Sequence, residues 1–306
     1  MIFNSIAFIT FLPIVFIIYW SLKNKSLVYQ NLVLLIASYV FYGWWDWRFL
    51  SLIAFSTIAD FIVGIKINSA KTKNARKCFL LISLIVNLGL LGFFKYFNFF
   101  IDSFKESINL LGITLDTWTL NIILPVGISF YTFQTLSYSI DIYKGKIKPT
   151  NDFISFAVFV SFFPQLVAGP IERAGHLLPQ FLKKRQFDYK SAITGISLIS
   201  YGFFKKLVIA DRLAIYVNSV FHDIENANTI SLIFGIIFFS FQIYADFSGY
   251  SLIARGISKL FGFDLMINFN RPYLARNIPE FWRRWHISLS TWFRDYLYIP
   301  SDCLKT

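Results

Sequence analysis

FISFAVFVSFFPQLVAGPI, Phe153 to Ile171, is apolar enough to sit in a membrane, yet it carries Pro164 and the pair Gly169-Pro170. Proline lacks an N–H and clashes with the preceding turn, so a helix cannot run unbroken through this stretch. Backbone groups freed by the break find no partner in hydrocarbon and are tolerated only beside protein or a water-filled cavity. The flanking charges bear on the same question. Lys144, Lys146 and Lys148 precede the run, and Arg173, Lys183, Lys184, Arg185 and Lys190 follow it. A full crossing would place one of these groups outside, against the tendency of Lys and Arg to remain on the cytoplasmic side. The segment is therefore expected to be re-entrant or broken, with both ends on one side.

The remainder of the chain asks for the same solvent. It is 56% hydrophobic, 20% aromatic and 15% charged, with 37 Phe among 306 residues, whereas globular domains are about 25% charged. Met1 to Leu22 has no charged side chain and lacks the basic start and small-residue cleavage site of a secretory signal. Further spans are expected at Ser26–Trp45, Phe49–Ile65, Cys78–Ile101, Thr117–Ile140, Ser191–Val220 and Asn226–Ala245, while residues from Phe247 onward mix charges too closely for a clear crossing. Lys66, Lys71, Lys73, Arg76 and Lys77 put their loop inside. Alternation then puts Met1 and the loop Asp102 to Asp116 outside, and Lys23 and Lys25 inside. The expected fold is an all-α, polytopic transmembrane protein with re-entrant or interfacial helices, one domain over residues 1–306, in the inner or cytoplasmic membrane of a cell.

Charge and cysteine exclude other classes. The net charge of +12 is spread in short blocks between apolar runs, which suits topology signals and anionic lipid headgroups rather than a nucleic-acid face. Cys78 and Cys303 make neither a disulfide framework nor a metal-ligand spacing. No Gly-rich phosphate loop, nucleophile elbow or strand-rich cofactor domain is visible, so no bound cofactor or metal is expected.

Two polar clusters stand out. QIYADFSGYS, Gln242 to Ser251, ends an apolar run. An Asp near hydrocarbon is costly, so Asp246 is expected to face a cavity or a cationic partner, for which Arg283 and Arg284 are candidates; its alternative role is to cap a helix end. EFWRRWHISLSTWFRDYLYIP, Glu280 to Pro300, packs three Trp, three Arg and a His into what would be about six turns of helix. His286 lies there among Arg283, Arg284 and Asp295, and is either a general base or an interfacial residue that orients an amphipathic helix. His176 and His222 sit in charged loops where solvated roles suffice, and Lys95 is expected to snorkel to the headgroups. Asp60, alone in an apolar span, poses the same question as Asp246.

Five segments together resemble the membrane-bound O-acyltransferases, in the bacterial branch typified by alginate O-acetylase. They are LPVGISFYTFQTLSYSIDIYKG from Leu124, SFFPQLVAGPIERAGHLLPQ from Ser161, FKKLVIADRLA from Phe204, FQIYADFSGYSLIARG from Phe241 and NFNRPYLARNIPEFWRRWHISLSTWFRDYLYIP from Asn268. The resemblance implies a ring of tilted helices around a tunnel, where an acyl donor and a hydroxyl acceptor meet from opposite sides. It further implies transfer of an acetyl or other acyl group from acetyl-CoA or a carrier-bound thioester to an exported polysaccharide such as alginate, and a periplasmic or extracellular acyltransferase partner. Gln242, Asp246, Arg283, Arg284, His286 and Asp295 become tunnel-lining candidates. The family's Trp-His-Gly histidine has no counterpart in this sequence. By the resemblance the chain is C-terminally truncated and weakly active or inactive, or alternatively a non-catalytic acyl conduit or assembly platform.

The expected re-entrance is checked by single cysteines introduced at Lys146 and Lys184. Both should react with a membrane-impermeant maleimide from the same side, and labelling of position 184 from the opposite side would make the segment a full span.

Overall fold

A computed structural model of the chain describes residues 1–110, 124 and 125, 127–167 and 169–299, and every regular element among them is helical. The helices are α1 Ile6–Ser21, α2 Leu27–Gly43, α3 Leu50–Ser69, α4 Lys73–Leu91, α5 Phe97–Asn109, α6 Ile128–Tyr143, α7 Phe153–Ser161 and α8 Phe163–Leu166. They continue as α9 Ala174–Phe181, α10 Tyr189–Phe203, α11 Asp211–His222, α12 Thr229–Leu260, α13 Ile278–Arg284 and α14 Ile287–Phe293. Wider π-helical turns at Gly92–Tyr96 and Phe204–Ala210 join α4 to α5 and α10 to α11, and Arg294–Tyr298 extends α14. Ser5, Thr72, Asp152, Asp188 and Asn228 start their helices by accepting from backbone N–H groups two or three residues on, which satisfies donors that the helix leaves free.

Trp47–Ser69, Lys73–Asn109, Tyr189–His222 and Thr229–Leu260 are long and apolar enough to cross a membrane. The predicted spans at Met1–Leu22 and Ser26–Trp45 form helices of 16 and 17 residues, about 24 to 26 Å long and slightly shorter than a hydrocarbon core of about 30 Å. Of the predicted span Thr117–Ile140, the first residues lie outside the described ones; from Ile128 it is helical.

The basic loops gather at one end of the bundle. Tyr19 Oη donates to the Phe261 carbonyl at 2.9 Å and Trp20 Nε1 to that of Leu260 at 3.0 Å, which ties the α1–α2 turn to the end of α12. Arg185 Nη2 donates to Asn31 Oδ1 at 2.6 Å, and Arg76 Nη2 to the Tyr143 carbonyl at 2.9 Å. Lys23, Lys25, Lys183 and Lys184 therefore lie together, as do Lys71, Lys73, Lys144 and Lys146, and the bond from Asn31 to Ser155, shortly beyond Lys148 in the chain, brings the two groups to one end, the arrangement that the positive-inside expectation requires.

The segment from Phe153 is broken and returns. Asn31 Nδ2 donates at 2.9 Å both to Ser155 Oγ, where α7 begins, and to the Phe181 carbonyl, where α9 ends, so the way in and the way out are pinned together. Between them the chain leaves the helix at Phe162 and is buried in protein from Ser155 to Leu166. The freed groups are met by side chains: Ser38 Oγ accepts from Phe163 N at 3.1 Å, Gln134 and Gln165 donate to the Phe159 carbonyl, and Ser288 Oγ accepts from Ile171 N at 3.0 Å. Gly127, at φ 78°, starts α6 against this break, where a Cβ would lie 2.4 Å from the Leu166 carbonyl oxygen.

Close approach also sets α10 on α12. A Cβ at Gly202 would lie 2.7 Å from the Gly249 carbonyl oxygen, and one at Gly256 2.5 Å from that of Gly195. Small residues let membrane helices touch backbone to backbone.

The described part of the stretch Glu280–Pro300, residues 280–299, departs from the expected continuous helix. It is split between α13 and α14, with Trp285 extended and His286 left-handed at φ 42°. The physical reason is pairing with a neighbouring loop: Asn270 N donates to the Arg284 carbonyl and Ile287 N to the Asn268 carbonyl, both at 2.9 Å, and these bonds require an open backbone at the break.

Gly202→Val should lower the melting temperature in detergent, because overpacking typically costs about 1–3 kcal/mol. Gly89→Val, where nothing lies within 4 Å of the added Cβ, should change it little; equal effects of the two would remove the close-contact account.

Candidate active site

The break between α13 and α14 sets His286 in the wall of an apolar cavity, while its partner Asn268 lines a polar one. Its ring is held edge-on to Phe247 at 4.7 Å and near Phe269 at 6.3 Å. His286 Nδ1 lies 3.0 Å from Asn268 Oδ1, which also accepts from Ser288 Oγ at 3.0 Å, while Asn268 Nδ2 donates to Ser251 Oγ at 3.1 Å. With the amide so assigned, its oxygen can only accept. Nδ1 therefore carries the proton, and Nε2 presents a lone pair. Burial pushes the imidazole pKa down to about 4, so the ring is neutral at pH 7.

Asn268 faces a polar cavity of about 240 Å³, whose walls include Tyr201, Lys205, Ser248, Ser251, Arg255 and Arg271 and no carboxylate. His286 faces the other cavity, of about 260 Å³, with Lys95 and Ser129 among mostly apolar neighbours such as Leu91, Phe130, Phe133 and Leu289. A cation-lined space and an apolar space thus meet at the Asn268–His286 pair. Arg271 and His286 are the described non-glycine residues with left-handed backbone, at φ 47° and 42°. Such conformations cost free energy and concentrate at functional sites.

Charged groups lie at the centre of the long spans. The π-helical turn Phe204–Ala210 carries Lys205 toward the polar cavity, where Nζ donates to Ser248 Oγ at 3.2 Å and sits over the rings of Tyr201 and Tyr244 at 4.9 and 4.8 Å. Lys206 points the other way, between Asp211 at 2.8 Å and Asp246 at 2.7 Å. Asp246 does have a cationic partner, but it is Lys206 rather than Arg283 or Arg284. Arg284 pairs with Glu280 at 2.5 Å one turn back, and Arg283 is exposed on α13. Gln242 lies one turn from Asp246 with its Oε1 buried and unbonded. Asp295 meets Arg294 at 2.8 Å and Arg173 at 3.8 Å, at the end of α14 remote from His286.

Other singled-out residues resolve locally. Asp60 is fully buried and accepts from Ser83 Oγ at 2.5 Å, Asn87 Nδ2 at 2.7 Å and Ser139 Oγ at 3.0 Å, which welds α3, α4 and α6. His176 Nδ1 lies 2.7 Å from the buried Glu172 carboxylate, which raises the imidazole pKa. His222 is exposed at the end of α11. Lys95, expected to snorkel, reaches Ser129 Oγ at 3.3 Å on the rim of the apolar cavity. Sequence reasoning missed Asn268, Ser251, Ser288, Arg255 and Arg271 as site residues. Ser251 stood at the end of the polar cluster from Gln242, and Lys205 and Lys206 carried a signal as charges inside an apolar run.

The sequence model of the membrane-bound O-acyltransferase family matches residues 148–305. The protein named probable alginate O-acetylase AlgI of Pseudomonas aeruginosa is 44% identical over 302 residues, 98% of this chain and 57% of its own length. The peptidoglycan O-acetyltransferase of Helicobacter pylori is 38% identical over 334 aligned positions, 98% of this chain and 62% of its own length. Teichoic acid D-alanyltransferase of Bacillus subtilis is 32% identical over 185 residues, 58% of this chain and 46% of its own length. The chain thus spans about half the length of the curated relatives it matches.

The neutral His286 has a thermodynamic signature. Its folded pKa of about 4 lies below the ordinary imidazole value of 6.5, so between those values the unfolded chain takes up a proton that the folded chain refuses. Stability should then fall as pH drops from 6.5 toward 4 and level off below. His286→Gln should remove that slope in pH-dependent melting, and an unchanged slope would show the ring to be solvated. The Glu172–His176 pair, whose raised imidazole pKa favours the folded state at lower pH, titrates in the opposite sense and is common to both proteins.

Proposed function

The chain belongs to the membrane-bound O-acyltransferase family, and from that premise we propose that it takes part in moving an acetyl or other acyl group from a thioester donor to a hydroxyl of an exported or cell-envelope polysaccharide. The meeting of a cationic cavity and an apolar cavity at a tautomer-fixed neutral histidine carries this proposal. Arg255 lies one to two turns from the end of α12 at the basic face, so the cavity it lines suits a phosphate-bearing donor such as acetyl-CoA or a carrier-bound thioester entering from that face. The apolar cavity lies beside the start of α6, toward the opposite end, and suits the acceptor. The names of the matched relatives, an alginate O-acetylase and a peptidoglycan O-acetyltransferase, favour a glycan acceptor. An exported glycan in turn favours the inner or cytoplasmic membrane and a periplasmic or extracellular acyltransferase partner.

In the chemical step the acceptor hydroxyl gives its proton to His286 Nε2 as its oxygen attacks the thioester carbonyl. The new ester C–O bond forms, the C–S bond breaks, and the proton passes from Nε2 to the departing thiolate. Asn268 holds Nδ1–H throughout and stabilises the imidazolium that forms transiently. Lys205, which bonds Ser248 at 3.2 Å within the polar cavity, is placed to favour negative charge on the donor side.

The pKa of about 4 supports a second reading. A base so far below neutral pH is a weak proton acceptor, which suits a supporting role in a conduit that delivers the acyl group to another catalytic centre.

The two readings separate in proteoliposomes supplied with labelled acetyl-CoA and an acetyl-free polysaccharide. Catalysis predicts acetylated glycan and a loss of about 10²- to 10⁴-fold for His286→Ala, with Lys205→Ala and Arg255→Ala raising the donor KM. Glycan acetylation that survives His286→Ala at the wild-type rate would remove His286 as the base. Donor binding without acetylation by the wild type would favour the conduit.

A further inference from the structure

We propose that the cavity beside the start of α4 binds the phosphate of an anionic phospholipid headgroup at the basic end of the bundle. This cavity, of about 380 Å³, is walled by Ala70, Lys71, Lys73, Arg76 and Tyr143. It lies apart from the site around His286, and its lining carries three cations and no carboxylate.

Arg76 is fixed in place. Its Nη2 donates to the carbonyls of Tyr143 at 2.9 Å and Ile142 at 3.4 Å, and its guanidinium lies over the Tyr143 ring at 5.7 Å. Those carbonyls belong to the last turn of α6, the negative end of a helix, which holds the cation without neutralising it fully. The guanidinium borders the cavity. Its charge is therefore held beside the cavity, and phosphate is the anion that a planar guanidinium fork matches best. Lys71 and Lys73 are exposed at the mouth, where they add charge at little structural cost.

The surroundings select a lipid over a soluble phosphate. Lys73, Lys77, Leu81 and Ile85 succeed one another at every fourth position, so they form one stripe along α4. Leu81, Ile85 and Leu88 are exposed, and an acyl chain descending from a headgroup at Lys73 would lie along them. A soluble anion would use the cations but leave this track uncovered. Occupancy would link the α3–α4 turn to α6, the helix that supplies Ser129, Phe130 and Phe133 to the apolar cavity.

The test uses the full chain purified in detergent and titrated with phosphatidylglycerol, phosphatidylcholine or glycerol phosphate, with lipid adducts counted by native mass spectrometry and melting followed in parallel. Phosphatidylglycerol should bind and raise the melting temperature, while phosphatidylcholine and glycerol phosphate should do neither at the same concentrations. Each basic residue near an anionic headgroup contributes about fivefold in affinity, so the double variant K71Q/K73Q should bind phosphatidylglycerol about 30-fold more weakly. Its lipid-free melting should match the wild type, since both side chains are exposed. The charge-preserving K71R/K73R should retain binding, which separates lost charge from a misfolded variant. Wild-type affinity in K71Q/K73Q, or equal binding of phosphatidylcholine, would overturn the proposal. A melting shift from glycerol phosphate equal to that from phosphatidylglycerol would also overturn it, in favour of a site for soluble anions.

Discussion

Hydrocarbon offers no hydrogen bonds, and the broken backbone between Phe162 and Arg173 must therefore be satisfied entirely by protein. Much of the bundle can be understood as the answer to that demand. Ser38 from α2, Gln134 from α6, Gln165 from α8 and Ser288 from α14 each supply a partner to the break or to the helix end beside it. Asn31 closes the hairpin at its base by holding Ser155 and Phe181 together. Aromatic packing completes the enclosure: Phe162, Phe181 and Phe263 stand with ring centroids 4.5 to 5.3 Å apart. A polar break is thereby made compatible with an apolar environment.

The same demand positions the site. Ser288 accepts from the returning backbone at Ile171 and donates to Asn268, and Asn268 holds His286. The re-entrant tip and the histidine are consequently two ends of one hydrogen-bond chain. Next along the chain from Ile171, the buried Glu172 accepts from Met266 N at 2.6 Å, which anchors the start of the loop that carries Asn268. On the far side of that loop, α10 and α12 touch through glycines and bring Lys205 and Ser248 to the polar cavity. Charges near the centre of a membrane span are expensive unless they pair or face a cavity. Lys206 takes the first course, between Asp211 and Asp246, and Lys205 the second.

Legibility followed the range of the physics involved. The broken segment could be read because proline chemistry is local and charge bias is a property of whole loops. The cationic partner of Asp246 could be expected but was assigned to Arg283 or Arg284, which stand about as far from it along the chain as Lys206 does on the other side. Chain separation does not choose between them; Lys206 meets Asp246 because glycines bring α10 and α12 together. The run around His286 looked like one helix because its composition permits one. Pairing of residues 268–270 with residues 284–287 opened it instead, and no local propensity encodes a bond between segments so separated.

By itself the sequence determined the solvent, the helical class, the gathering of basic loops at one end and the place where a helix must fail. These follow from hydropathy, net charge and the missing proline N–H, all of which act over a few residues or average over a loop. Tertiary structure alone decided that Asn268 orients His286, that this pair links the lining of a cationic cavity to that of an apolar one, and that Lys206 rather than an arginine answers Asp246. Those outcomes depend on distances of about 3 Å between groups remote in the chain, set by how the helices pack around the broken backbone.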